Sequence, residues 1–265
     1  MKLTEVSAKS GYIWFWQGIL FFFQNSLIFI TLILIYLYSM MIVSIVPVIG
    51  GALSLFLIPG IRVHFMSVCR SVISDKPLIW KILFDSFRSY SRIFTRHLFI
   101  LSVIYTAVME LNLTLSNIIS NSMIRVEVLP YGMVEGEIYD AINKQSLLIM
   151  TLLCIPTSMM FWFSPILTAW HNLHPVKALF FSIISFWRNI FAFLVYGLLW
   201  LGTIIFLFIS LLLMLHMIRA SINMISVMTM LFIIVISAML HCSFYVTYQG
   251  CFRQEEIERM SDNNT

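Results

Sequence analysis

Charged residues are scarce in this chain. Only 11% of its 265 residues are Asp, Glu, Lys or Arg, whereas 60% are hydrophobic and the mean hydropathy is +0.95. Soluble domains usually carry about 25% charged residues. A chain with less than half of that share cannot cover a water-facing surface, so the scarcity of charge predicts a protein whose solvent is lipid.

The familiar catalytic and metal-binding motifs are also missing. The sequence has no H-E-x-x-H, G-x-S-x-G, P-loop or G-x-G-x-x-G. Its four cysteines include no C-x-x-C pair, and His171 and His174 alone are too few for the usual zinc set. We therefore expect no enzymatic activity, no cofactor, no metal and no binding to nucleic acid. An enzyme of a type outside these motifs remains the alternative.

Long apolar segments are what the sequence does contain. A membrane helix needs about 20 mainly apolar residues, and Pro47, Gly50 and Gly51 divide the first apolar stretch into two such lengths. The predicted fold is an all-α, polytopic transmembrane helical bundle with about six spans, at 25–46, 48–68, 98–118, 147–170, 190–215 and 222–246. These spans form one predicted transmembrane domain, 25–247, which follows a cytosolic N-terminus with an interfacial lead-in (1–24) and precedes a cytosolic polar tail (248–265).

Lysine and arginine are unevenly distributed between the two sides that alternating spans define. With a cytosolic N-terminus, thirteen of the sixteen basic residues fall on the inner side, and Arg125, Lys144 and Arg219 fall on the outer side. Short cytosolic loops carry the excess of Lys and Arg in membrane proteins. The distribution therefore predicts that both termini are cytosolic.

Two segments on the predicted inner side, 81–92 and 177–188, share the pattern K-x-L-F-x-S-x-x-S-aromatic-x-R. An internal duplication and a chance match within apolar sequence both explain two copies. Around the first copy, apolar residues recur at helical spacing opposite Lys81, Arg88 and Arg92. This pattern predicts an interfacial amphipathic helix on the cytosolic side, at about 78–92, with a helix packed on the bundle as the alternative.

Two charged side chains, Glu110 and Arg62, fall inside predicted spans. An intramembrane carboxyl such as Glu110 is a candidate for an ion- or substrate-linked role. Asn112 and Thr114 follow it, however, so the third span can also be ending there, with Glu110 exposed near the headgroups. Arg62 lies near the inner end of the second span, from which its side chain could extend to the headgroups.

A series of short motifs occurs in a fixed order along the chain: Gly11-x-x-Trp14, Pro47-x-x-Gly50, Pro59-Gly60, Cys69-Arg70, Leu83-Phe84-x-x-Phe87-Arg88, Phe163-Ser164-Pro165, Lys177-Ala178-x-x-x-Ser182 and Arg188-Asn189. With these motifs the chain resembles an uncharacterised family of multi-pass bacterial inner-membrane proteins found mainly in β-proteobacteria. The resemblance implies an inner-membrane location and a multi-pass topology, and it implies no activity.

Two functions stay open at this point. The first is a non-catalytic membrane protein that acts through contacts with the lipid bilayer or with a partner membrane protein of unknown identity. The second is a small permease or transporter that uses the proline-broken second and fourth spans (Pro59, Pro156, Pro165) together with Glu110. Interrupted helices are typical of transporters, but this chain has few polar residues to line a path.

We predict that reporter fusions will find six spans with both termini in the cytosol. Alkaline phosphatase, which is active only outside the cytosol, should be active after Gly132 alone. Green fluorescent protein should fluoresce after Ser71, Arg188 and Thr265, because these positions belong to the basic inner side. Phosphatase activity at any position other than Gly132 would overturn this topology.

Overall fold

The structure of the chain is a computed structural model that describes residues 2–73, 96–127 and 135–253, and these residues are almost entirely helical. Nine helices and two short strands fall within these ranges. In chain order they are β1 (Lys2–Leu3), α1 (Lys9–Gln24), α2 (Ser26–Ser44), α3 (Gly50–Ile73), α4 (Arg96–Glu127), α5 (Glu135–Phe161), α6 (Ser164–His171), α7 (Pro175–Arg188), α8 (Ile190–Met217), α9 (Ile222–Cys251) and β2 (Phe252–Arg253).

Six helical segments are long and apolar enough to cross a membrane, which confirms the predicted all-α bundle with about six spans. They are Ser26–Ser44, Gly50–Ile73, Arg96–Ile119, Ser146–His171, Ile190–Met217 and Ile222–Cys251. Of the two spans predicted to be broken by proline, the fourth is interrupted at Trp162 and Phe163, whereas α3 continues through Pro59 without interruption. The helix of the sixth span continues to Cys251, beyond the predicted end of that span at 246.

The predicted amphipathic helix at about 78–92, and with it the first copy of the repeated pattern, lies outside the described residues. The second copy, 177–188, lies within α7. Whether the two copies are a duplication therefore stays a prediction.

The chain divides into two compact units. The first, which we call the terminal unit, comprises Met1–Ile42, Phe65–Phe87 and Ile184–Thr265, and the second, the central unit, comprises Val43–His64 and Arg88–Ile183. That 25–247 acts as one transmembrane domain stays a prediction.

In the terminal unit, α1 packs against α8 and α9 at two very close approaches. Its buried residues recur at helical spacing, so one face of α1 is apolar and covered. Glycine makes the approach possible, since a Cβ on Gly11 would overlap the Ala192 carbonyl and a Cβ on Gly18 would overlap Ser243. Trp14 lies beside Phe193, with ring centroids 5.3 Å apart. The segment predicted as an interfacial lead-in is thus a packed helix of this unit.

The two ends of the chain meet in the same unit. Strand β1 pairs antiparallel with β2, and the Thr4 amide donates to the Cys251 carbonyl at 3.0 Å. Asn189, between α7 and α8, extends this contact: its Oδ1 accepts from the Val6 amide at 2.8 Å, and its Nδ2 donates to the Thr4 carbonyl at 3.2 Å. The polar residue after α7 therefore holds the N-terminal segment to the junction of α7 and α8.

We predict that Gly18→Ala will destabilise the protein while Gly202→Ala will not. The new methyl group on residue 18 would overlap Ser243, so the α1–α9 contact must open at a cost of about 1–3 kcal/mol. Gly202 has nothing within 4 Å of the added position, so alanine there should be neutral or should stabilise α8 by up to about 1 kcal/mol. Thermal unfolding in mild detergent measures both, and equal losses would contradict the close approach.

Candidate functional site

The interruption of the fourth span lies against the hydrophobic core of the central unit. Buried residues from four helices form this core: Val63, Leu98, Leu101, Tyr105, Phe161 and Leu179. The rings of Tyr105 and Phe161 meet edge to face with centroids 4.9 Å apart. Because Phe161 is the last residue of α5, the core packs directly on the end of the broken helix.

Pro165 explains why the helix stops at Phe161. In a continuous α-helix the amide of residue 165 would donate to the Phe161 carbonyl, but proline has no N–H and its ring clashes with that carbonyl. Arg62 Nη1 donates to the Phe161 carbonyl instead, at 3.1 Å. The guanidinium of α3 therefore replaces the backbone donor that Pro165 removes.

Ser182 of α7 bonds to two further backbone groups at the interruption. Its hydroxyl accepts from the Phe163 amide at 3.0 Å and donates to the Met159 carbonyl at 2.8 Å. In an uninterrupted helix these two backbone groups would bond directly, since they lie four residues apart. The fully buried Ser182 side chain thus stands between them as an inserted link.

Further polar contacts tie α4 to α5 within the same unit. Asn112 Nδ2 donates to Thr157 Oγ1 at 2.8 Å, and both side chains are buried. Nearer the other end, the Ser116 hydroxyl donates to the Ser146 carbonyl at 2.5 Å. Buried polar groups need partners in a low-dielectric interior, and these pairs supply them.

Glu110 and Arg62, the two sequence candidates, occupy different environments. Glu110 lies on the exposed face of α4, whereas Asn112, two residues further, lies on the buried face. Arg62 is half-buried at the break in the fourth span. Arg62 thus contacts the interruption directly, while Glu110 lies on the face of its helix opposite the packed one.

The histidine pair lies near a third histidine that the sequence analysis did not single out. The rings of His174 and His97 are 5.7 Å apart, and His97 Nδ1 is 3.2 Å from Asn172 Oδ1. Among the described residues, no group of three or more His, Cys, Asp or Glu side chains is placed to hold a metal ion.

Two buried contacts were not predicted from the sequence. One is the link through Ser182: proline in the fourth span predicts a break there, but the side chain that bonds across the break lies in a different helix. The second is a buried contact in the terminal unit, between Tyr196 Oη and Ser243 Oγ at 2.6 Å. The polar run from His241 to Gln249 in the sixth span was its signal in the sequence.

We predict that Ser182→Ala will destabilise the central unit. Its loss leaves the Phe163 amide and the Met159 carbonyl without their shared partner, which should cost about 1–3 kcal/mol. Ser210→Ala is the matched control, because Ser210 is exposed and donates only to the Phe206 carbonyl of its own helix. Its effect on thermal unfolding should stay within about 0.5 kcal/mol, and an equal effect of the two variants would contradict the inserted link.

The comparisons with known proteins agree with this architecture. A probable inner membrane protein of Burkholderia thailandensis is 47% identical to the chain over 260 residues, which cover 97% of this chain and 96% of the relative. No family model matches the sequence. No solved structure matches it. The identity over nearly the whole length confirms the resemblance drawn from the motifs, and the chain belongs to the family of multi-pass bacterial inner-membrane proteins that includes this Burkholderia protein.

Proposed function

We propose that the chain is a non-catalytic protein of the bacterial inner membrane that acts through contacts of its helices with lipid or with a partner membrane protein. The observation that carries this proposal is the use of polar side chains at the interrupted fourth span. Arg62, Ser182 and Asn112 each bond to the backbone or to a side chain of that span. These groups bond to atoms of a packed helix.

We further propose that both termini are cytosolic. The uneven distribution of lysine and arginine supports this orientation. The pairing of β1 with β2 supports the part of this proposal that places both on one side of the membrane, because it holds Lys2–Leu3 beside Phe252–Arg253, as an even number of spans requires. The identity with an inner membrane protein supports the location in the inner membrane.

A permease is the second candidate, and one observation favours it. Transporters commonly bind substrates where a membrane helix is interrupted, and the fourth span is interrupted next to the guanidinium of Arg62. In that function Arg62 would bind an anionic substrate, and its contact with Phe161 would have to be exchanged during transport. If Arg62 serves to complete the helix, replacing Pro165 should reduce the stability loss that Arg62→Leu causes. If Arg62 serves to bind substrate, replacing Pro165 should leave that loss unchanged.

We predict that the effects of Arg62→Leu and Pro165→Ala on stability are coupled. Arg62→Leu removes the donor to the Phe161 carbonyl, and alanine at position 165 restores a backbone N–H that can take its place. The loss caused by Arg62→Leu should therefore shrink in the Pro165→Ala background, by about 1 kcal/mol in a double-mutant cycle measured by thermal unfolding.

Glu110→Gln is the control for this cycle. It removes the other charge of the predicted spans from an exposed position, so it should insert, accumulate and unfold like the wild type. Two results together would overturn the non-catalytic proposal in favour of the permease. The effects of Arg62→Leu and Pro165→Ala on stability would be additive, and proteoliposomes would show a solute flux that either Arg62→Leu or Glu110→Gln abolishes.

A further inference from the structure

An open cavity of about 730 Å³ lies at the turn between α8 and α9. Its apolar lining comes mostly from the end of α8, including Ile209, Leu212 and Leu213, and two basic side chains, His216 and Arg219, contribute to it. No acidic residue is among the residues that line it. The cavity thus combines an apolar wall with a basic edge.

The position of this turn places the basic edge of the cavity at the depth of the lipid headgroups. Both α8 and α9 are long and apolar enough to span a bilayer, and only four residues separate Met217 from Ile222. A turn this short between two spans lies at the boundary between hydrocarbon and headgroups. Arg219 and His216 therefore lie at the level of lipid phosphates, and Ile209 lies about two turns of helix deeper.

The backbone at Arg219 is an unusual one for arginine. Helix α8 ends in a Schellman motif, in which the Ala220 amide donates to the Leu215 carbonyl and the Arg219 amide to the His216 carbonyl, both at 3.0 Å. Arg219 occupies the left-handed position of this motif, with φ of 50°. Glycine is the usual residue there because it adopts this conformation without strain, so a guanidinium is held at a position where glycine would stabilise the turn.

We propose that this cavity binds an anionic glycerophospholipid, with its phosphate on Arg219 and His216 and an acyl chain along the apolar wall. Charge complementarity identifies the occupant, because the edge is basic while the remaining lining is apolar. The start of α9 at Ile222 adds the positive end of a helix dipole beside the same edge. This inference rests on the proposed function and names the lipid contact through which the terminal unit acts.

The test is photo-crosslinking of the full-length protein in vesicles, mapped by peptide mass spectrometry. Phosphatidylglycerol with a diazirine in its acyl chain should label the peptide that contains 209–225 more strongly than the matching phosphatidylcholine probe. Unlabelled phosphatidylglycerol should compete for this labelling. Arg219→Gln should reduce it about fivefold, as expected for the loss of one basic contact to an anionic lipid, whereas Arg219→Lys should preserve it. Labelling elsewhere on the same molecule is the internal control.

A second variant separates binding from folding. Arg219→Gly relieves the left-handed strain, so it should raise Tm in lipid-free detergent by about 2–4 °C while losing the crosslink at 209–225. A crosslink that Arg219→Gly or Arg219→Gln leaves unchanged would overturn the proposal.

Other occupants give other results. If glycerol 1-phosphate competes for the labelling and unlabelled phosphatidylglycerol does not, the site binds a soluble anion. If protein–protein crosslinks join 209–225 of two copies, the cavity is a dimer contact. Either result overturns the lipid proposal. Solute flux in proteoliposomes tests the non-catalytic function separately, because it does not depend on whether the mapped lipid crosslink is found.

Discussion

The backbone hydrogen bonds at the interrupted fourth span are the constraint on which the central unit depends. In hydrocarbon, a carbonyl or amide that loses its helical partner has no water to bond to, so the protein itself must supply the replacement. Pro165 removes the donor to the Phe161 carbonyl, which Arg62 of α3 replaces, and Ser182 of α7 bonds to the Phe163 amide and the Met159 carbonyl at the same interruption. These bonds tie α3 and α7 to the fourth span.

The terminal unit depends on the close packing of α1 against α8 and α9. Two glycines let α1 approach the backbones of α8 and α9, and Trp14 fills the space between them. Dispersion contacts of this kind stabilise helices in lipid, where apolar surface gains little from burial. Asn189 then ties the two ends of the chain to this packed group. The resemblance motifs contain three of these residues, Gly11, Trp14 and Asn189, and all three contribute to packing or to contacts at the chain ends.

The two units support one view of function. At the interrupted span, Arg62, Ser182 and Asn112 bond to protein atoms, while α8 and α9 carry large exposed apolar residues such as Phe206 and Met230. A surface of that kind faces lipid or another membrane helix. At the α8–α9 turn this apolar surface lies next to the cationic side chain of Arg219 in the same cavity. An anionic lipid is the partner proposed there because it matches both features.

The sequence by itself determined the all-α class and the six spans, because the thickness of a bilayer sets the apolar length that each span must have. It also predicted that proline breaks the second and fourth spans. Only the tertiary structure decided that, of these two, the fourth is interrupted, that Arg62 and Ser182 bond to the backbone there, and that Asn112 is buried while Glu110 is exposed. The rotation of a helix about its axis is set by the shapes of the helices packed against it, and a mostly apolar sequence carries little periodic signal to reveal that rotation.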